Sequence, residues 1–186
     1  MSYKKNVRAL FIYYGCSFRK LVIRLRLFIA ATPPKKIQNT LYYESALLPK
    51  GVKRIHSDKI HITLCFFGEC KEEPIIPSLS HFPEIKVKIG SYRGFPTPEK
   101  AKIIWREVLP VEELRNLNSI FCTDNQDKSF IPHMTVARSH FQVDTTKITH
   151  LEEPEFTIRR LQLIESILSS EGATYRVKKN YSLGRQ

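Results

Sequence analysis

Alternating and apolar segments predict a chain made mostly of β-strands. Residues 24–30 alternate arginine with leucine and then become apolar, which is typical of a strand that enters a sheet core. Similar patterns predict further strands at residues 52–55, 59–67, 84–92, 102–108, 155–167 and 173–183. Thr32 followed by proline predicts a helix that Thr32 caps and that runs to about residue 43. Helical spacing predicts a second helix over residues 111–121.

The order of these elements predicts the fold class. Strands and helices recur in a similar order in the two halves of the chain, so we expect an α+β protein of two similar lobes. Each lobe would be an antiparallel sheet with helices on the outside, and the lobes would face each other across a central cleft. We expect residues 24–186 to form this single two-lobed domain, with the lobe boundary near residues 90–94.

Residues 1–23 form a basic extension with a different composition. Residues 1–26 carry +7 of the formal net charge of +12 and no acidic side chain. The apolar run is short and arginines return at once, so we exclude a signal peptide, and no stretch approaches the roughly 20 apolar residues of a membrane span. We hypothesise a mis-assigned start, with translation beginning near Val22 or Leu25. The alternative is a basic arm that contacts RNA or anionic lipid.

One short phrase occurs twice in this pattern, as His-Ile-Thr-Leu at 61–64 and His-Met-Thr-Val at 133–136. On a strand, residues two apart point to the same side, so His61 and Thr63 share one face, as do His133 and Thr135. Imidazoles titrate near neutral pH, and one could take a proton while the other gives one. Hydroxyl groups beside them could stabilise the charge that develops on a phosphoryl group. The phrases therefore predict metal-free cleavage of a phosphate ester.

Zinc binding is the competing use of two histidines. Zinc sites usually have three or four protein ligands, and the phrases add only Cys65, which alternation would place on the His61 face. The four cysteines form no Cys-x-x-Cys pair, so neither a disulfide scaffold nor a zinc knuckle is indicated. We expect no metal, no cofactor and a reducing, cytoplasmic setting.

Composition and charge indicate which class of molecule the protein binds. With 186 residues, 42% of them hydrophobic and 11% aromatic, the chain can bury a core and fold as a monomer. Its basic balance favours a polyanion such as an RNA end over a membrane, although solvated surface lysines explain a mild excess equally well.

Landmarks around the two phrases carry a family resemblance. They are Arg26-Leu27-Phe28-Ile29-Ala30, Phe66-Phe67-Gly68, Gly94-Phe95-Pro96, Ile104-Trp105 and the segment 132–138. On these residues the chain resembles the RNA 2′,3′-cyclic phosphodiesterases, also called 2′-5′ RNA ligases, within the two-histidine phosphoesterase superfamily. The resemblance covers nearly all of residues 26–180.

The resemblance implies a role for each site residue. His61 would be the proton donor and His133 the proton acceptor in hydrolysis of RNA 2′,3′-cyclic phosphate ends to 2′-phosphates, with reversible 2′-5′ ligation as a side activity. Thr63, Thr135 and Arg138 would bind the phosphate. Strict alternation places Arg138 on the wrong face, so it needs a bulge or strand end to reach the cleft.

Aromatic residues are candidates for stacking on a nucleobase. Phe95, beside Pro96 at a turn, is the best of them, whereas Trp105 fits a core position better and Tyr175 is a third option.

Two alternative functions stay open, one of another class and one enzymatic. A module could bind RNA ends without turnover, or the enzyme could cleave another small phosphodiester, such as ADP-ribose 1″,2″-cyclic phosphate or 2′-5′ oligoadenylate.

Overall fold

A nine-stranded antiparallel sheet forms the framework of the computed structural model, which describes residues 25–122, 130–150, 152–170 and 172–184. The basic extension predicted at 1–23 lies outside these residues. The strands are β1 (Leu25–Ala31), β2 (Lys53–Arg54), β3 (Ile62–Cys70), β4 (Ile85–Phe95), β5 (Ala101–Leu109), β6 (His133–Val143), β7 (Glu155–Ile158), β8 (Arg160–Ser169) and β9 (Gly172–Ser182). The helices are α1 (Lys35–Glu44) and α2 (Val111–Ser119), and 3-10 turns lie at Ser45–Leu47, Ser57–Lys59, Pro98–Lys100 and Thr145–Lys147.

The strands divide into two similar groups, as the sequence predicts. Their order is β7-β4-β5-β6-β3-β1-β8-β9, and β2 adds to β6. We call β1, β3, β8 and β9 the first lobe, and β4 to β7 with β2 the second lobe. The lobes join where Ile62 of β3 lies opposite Met134 of β6, the one residue pair that links these strands in the described sheet. The predicted α+β fold of two lobes is confirmed.

The chain passes from the second lobe back to the first at Arg159. The prediction of a single strand over residues 155–167 is wrong, because β7 pairs with β4 whereas β8 pairs with β1. The apolar pattern continues across both strands, and only their pairing partners differ. Residues 90–94 lie within β4, and the lobe boundary near them stays a prediction.

The main core lies between one face of the sheet and the two helices. Helix α1 buries Ile37 and Leu41 there, and α2 buries Leu114 and Leu117. Both helices occur where the sequence predicts them, but α1 begins after Pro34 and has no side-chain cap. The Thr32 hydroxyl instead donates to Gln162 Oε1 at 2.7 Å, because the two prolines separate Thr32 from the free amides of the first turn.

A buried ion pair ties α1 to the second lobe. Arg106 of β5 is fully buried, and its Nη1 donates to Glu44 Oε2 at 2.5 Å. Its other nitrogens donate to the carbonyls of Gly90 and Glu152, each at 2.6 Å. Burying a guanidinium is costly unless its donors are used, and here three of them are.

Cysteine pairing differs from the sequence expectation. Cys65 of β3 and Cys122, which follows α2, form a disulfide with a Cα–Cα distance of 6.3 Å. The bond joins segments that lie far apart along the chain, so no local spacing could reveal it.

Across the described residues, neither helix combines the length and the apolar character that crossing a membrane requires.

Candidate active site

The two repeated phrases meet at the junction of the lobes. Ile62 and Met134 both point into the main core, so the residues on either side of them face the opposite surface of the sheet, which lines the cleft. Continuing the antiparallel register by one residue places His61 beside Thr135 and Thr63 beside His133. The four predicted side chains therefore form one cluster with approximate two-fold symmetry.

Both imidazoles are oriented in the same way by the backbone. His61 Nδ1 lies 2.7 Å from the carbonyl oxygen of Lys59, and His133 Nδ1 lies 2.8 Å from that of Ile131. A carbonyl oxygen only accepts, so Nδ1 carries the proton in each ring. Each neutral imidazole therefore keeps the lone pair of its Nε2 for the cleft.

Burial lowers the pKa of both histidines. It brings the pKa of His61 to about 4, the hydrogen bond to Lys59 acts in the opposite direction, and the charge on His133 lowers the pKa further. The pKa of His133 is also below its ordinary value, again because of burial and against the hydrogen bond to Ile131. Both rings are therefore mainly neutral at pH 7 in the unliganded protein.

Each imidazole is enclosed by two aromatic rings. Phe28 stacks on His61 with a centroid distance of 5.0 Å, and Tyr175 meets His61 edge-on at 5.4 Å. In the second lobe, Phe95 lies 5.3 Å and Trp105 lies 5.4 Å from His133. These rings supply the burial that lowers both pKa values.

The aromatic predictions from the sequence are partly revised by these contacts. Phe95 is half-buried at the cleft and stacks on Trp105 at 5.0 Å. Trp105 is buried, as expected, but it packs against His133 rather than in the main core. Its indole Nε1–H is buried without a hydrogen-bond partner among the described residues.

A β-bulge interrupts each phrase at its fourth residue. Ala30 pairs with Thr63 and Ile29 with Cys65, so Leu64 is the extra residue of β3. Trp105 likewise pairs with Thr135 and Ile104 with Ala137, so Val136 is the extra residue of β6. A bulge reverses the alternation beyond it, because two successive residues then point to the same side.

The bulges decide which later residues face the cleft. Arg138 is brought to the cleft face, pairs across the strands with Ile103, and is exposed. Cys65 is instead turned into the main core, so its predicted place on the His61 face is wrong. Phe66, five residues after His61, also reaches the cleft face, and the sequence pattern singled out only its counterpart Arg138.

The threonine hydroxyls complete the cluster. Thr63 and Thr135 are half-buried, and neither hydroxyl has a hydrogen-bond partner within the part of the chain that the structure describes. Hydroxyl donors beside two imidazoles and a guanidinium suit an anion with several oxygens. In the described ranges, no group of three or more His, Cys, Asp or Glu side chains could hold a metal ion.

Sequence comparison identifies relatives that match most of this chain. A protein of Methanocaldococcus jannaschii named RNA 2′,3′-cyclic phosphodiesterase is 25% identical over 178 residues, which span 84% of this chain and all of the relative. One of the same name from Archaeoglobus fulgidus is 29% identical over 142 residues, covering 68% of this chain and 81% of the relative. No protein-family model matches this sequence. The relatives confirm the family resemblance predicted from the sequence landmarks.

Solved structures confirm the fold. LigT of E. coli in complex with 3′-AMP superposes with a TM-score of 0.69 at 18% identity and covers 87% of this chain and 99% of LigT. A structure described as a phosphoesterase gives a TM-score of 0.70 at 18% identity, over 88% of this chain and all of the other.

Proposed function

We propose that this relative of the RNA 2′,3′-cyclic phosphodiesterases hydrolyses RNA or oligonucleotide 2′,3′-cyclic phosphate ends to 2′-phosphates. The observation that carries the proposal is the pair of imidazoles that share one cleft, each held by its Nδ1 with Nε2 left for the substrate. Hydrolysis of a cyclic diester needs a base on one side of phosphorus and an acid on the other. One histidine from each lobe meets that need.

The neutral imidazole of His133 acts as the base. Its Nε2 accepts a proton from water, and the water oxygen attacks phosphorus opposite the ribose 3′-oxygen. The bond between phosphorus and that oxygen breaks, and protonated His61 gives its Nε2 proton to the leaving oxygen. Each proton transfer contributes on the order of 10²- to 10⁴-fold to the rate. The products are a 2′-phosphate and a 3′-hydroxyl, and the reverse step with a 5′-hydroxyl in place of water would make a 2′-5′ bond.

Substrate binding favours protonation of His61, which takes the proton from solvent. An anionic phosphate beside an imidazole favours its charged form and therefore raises its pKa. The site without substrate, in which burial lowers the pKa of His61 to about 4, would otherwise keep this acid deprotonated at pH 7.

Three side chains bind the phosphoryl oxygens in this proposal. Thr63 and Thr135 lie beside the two histidines, and their hydroxyls donate to oxygens that gain charge in the five-coordinate transition state. Arg138, on the cleft face beyond the bulge, adds charge-assisted hydrogen bonds. Phe95, stacked on Trp105 beside His133, offers a face for the terminal base.

One chain suffices for this chemistry, because both lobes of the site belong to it, and we propose a monomer. Cytoplasmic location also stays a proposal.

The test uses a panel of cyclic-phosphate oligonucleotides and small cyclic phosphates, with EDTA present throughout. We expect cyclic-phosphate ends to be converted to 2′-phosphates, identified by the position of phosphorus in the product. His61→Ala and His133→Ala should each lose at least a hundredfold in kcat/KM. Salt-sensitive RNA binding without any product would instead favour the binding module, and preference for ADP-ribose 1″,2″-cyclic phosphate or 2′-5′ oligoadenylate would favour the other substrates.

A diester whose leaving group needs no proton separates the two roles. A nitrophenyl phosphodiester should restore much of the rate of His61→Ala, because the acid is then dispensable, and little of the rate of His133→Ala. The opposite result would reverse the assignment of acid and base.

A further inference from the structure

Phe66 is a largely exposed aromatic residue on the cleft face of the first lobe. Its side chain is 51% exposed, although it lies in a strand whose neighbouring residues build the core. The guanidinium of Arg26, from the adjacent strand β1, lies 4.7 Å from the centroid of the Phe66 ring. A half-exposed flat ring that packs against a cation has the features of a stacking surface.

The position of Phe66 mirrors that of Arg138. Both stand five residues after a histidine, and both reach the cleft face because a bulge at Leu64 or Val136 reverses the alternation before them. The two lobes therefore offer different groups at equivalent places. The second lobe presents a guanidinium suited to a phosphate, and the first lobe presents an aromatic surface suited to a base.

An aromatic path connects Phe66 to the catalytic cluster. Phe66 is the cross-strand partner of Phe28, and the Phe28 ring stacks on His61. Along β3 the separation of Phe66 from His61 is on the order of 13 Å, counting four strand steps and one bulge. That distance suits a nucleotide next to the reacting one rather than the reacting ribose itself.

We propose that Phe66, with Arg26 packed on it, stacks the base of the nucleotide that precedes the cyclic end of an RNA substrate. The inference rests on the proposed function. A 2′,3′-cyclic phosphate occupies both oxygens at one end of the terminal ribose, so the RNA chain leaves the site through the 5′-oxygen toward an upstream nucleotide. Glu69 lies across the strands from Arg26, so these charges offset each other and stacking supplies the affinity.

The expected consequence is a preference for oligonucleotides over mononucleotides. Stacking of one base on an aromatic ring is worth about 1–3 kcal/mol, which corresponds to about 5- to 150-fold in kcat/KM. Phe66→Ala should lower kcat/KM by such a factor for a trinucleotide with a 2′,3′-cyclic phosphate. For the mononucleotide 2′,3′-cyclic AMP, the same variant should stay within about twofold of the unmodified protein.

Control variants separate stacking from folding. Phe66→Trp should keep the oligonucleotide preference, whereas Phe66→Leu keeps apolar bulk and should lose it. Tyr43→Ala removes a 70% exposed ring from the outer helix α1. This variant should leave kcat/KM unchanged for both substrates. Equal losses on both substrates in Phe66→Leu, or no loss on the trinucleotide, would overturn the proposal.

Binding distinguishes failure of this inference from failure of the proposed function. If the unmodified protein turns over neither substrate, the proposed function fails. Fluorescence anisotropy with a 2′-phosphate trinucleotide then still tests whether Phe66 stacks on a base. Weaker trinucleotide binding by Phe66→Leu than by the unmodified protein would then support stacking. Equal binding would refute it.

Discussion

Raising the pH above 6.5 should lower kcat/KM steeply. The reaction requires one protonated and one neutral imidazole, and kcat/KM reports the pKa values of these two groups in the free enzyme. Burial brings the pKa of His61 to about 4 and lowers that of His133 from its ordinary value of about 6.5. Above pH 6.5 both rings are therefore largely deprotonated.

The size of the effect follows from the pKa values. A pH of 7 lies about three units above the pKa of His61, so about one molecule in a thousand carries a protonated His61 ring at that pH. Each further unit removes the required proton from about nine in ten of the active molecules, so kcat/KM should fall about 100-fold between pH 6.5 and 8.5. On the acid side, kcat/KM should fall once His133 becomes protonated.

Initial rates with substrate far below KM measure this profile, at constant ionic strength from pH 4 to 8.5. Rates at saturating substrate give kcat, whose pH dependence is compared with that of kcat/KM. The bound anion raises the pKa of His61, so the decline of kcat should begin at a higher pH than that of kcat/KM. A kcat/KM that is flat or rising from pH 6.5 to 8.5 would refute the assignment of buried, low-pKa imidazoles as the acid and base.

Two substitutions test other parts of the structure. Arg138→Gln should lower kcat/KM about 10- to 150-fold, because charge-assisted bonds of about 1.5–3 kcal/mol are lost. The urea midpoint should stay unchanged because Arg138 is exposed, and undiminished activity would count against a phosphate contact. Arg106→Met should reduce the free energy of unfolding by about 3–5 kcal/mol, because Glu44 loses its buried guanidinium partner and two carbonyls lose a donor. Urea unfolding measures this loss, and an unaltered midpoint would contradict the prediction.

Local patterns were enough to predict much of the fold and the central cluster. Alternation predicted most strands, a Thr-Pro start signal and helical spacing predicted one helix each, and the spacing of each phrase placed a histidine and a threonine on one face. These features depend on residues two to four apart, whose geometry is set by the backbone of a single strand or helix. Thr32 was misjudged as a cap because its partner, Gln162, lies on a distant strand.

Contacts between distant segments settled the remaining features. The pairing of Ile62 with Met134 joins the two phrases, and bulges at Leu64 and Val136 turn Arg138 toward the cleft and Cys65 away from it. Which residue of a strand bulges depends on the strand beside it, and that partner is not encoded in the strand's own alternation. The repeated His-x-Thr phrase thus specifies which groups each lobe presents, whereas the pairing of the lobes specifies where those groups meet and what surrounds them.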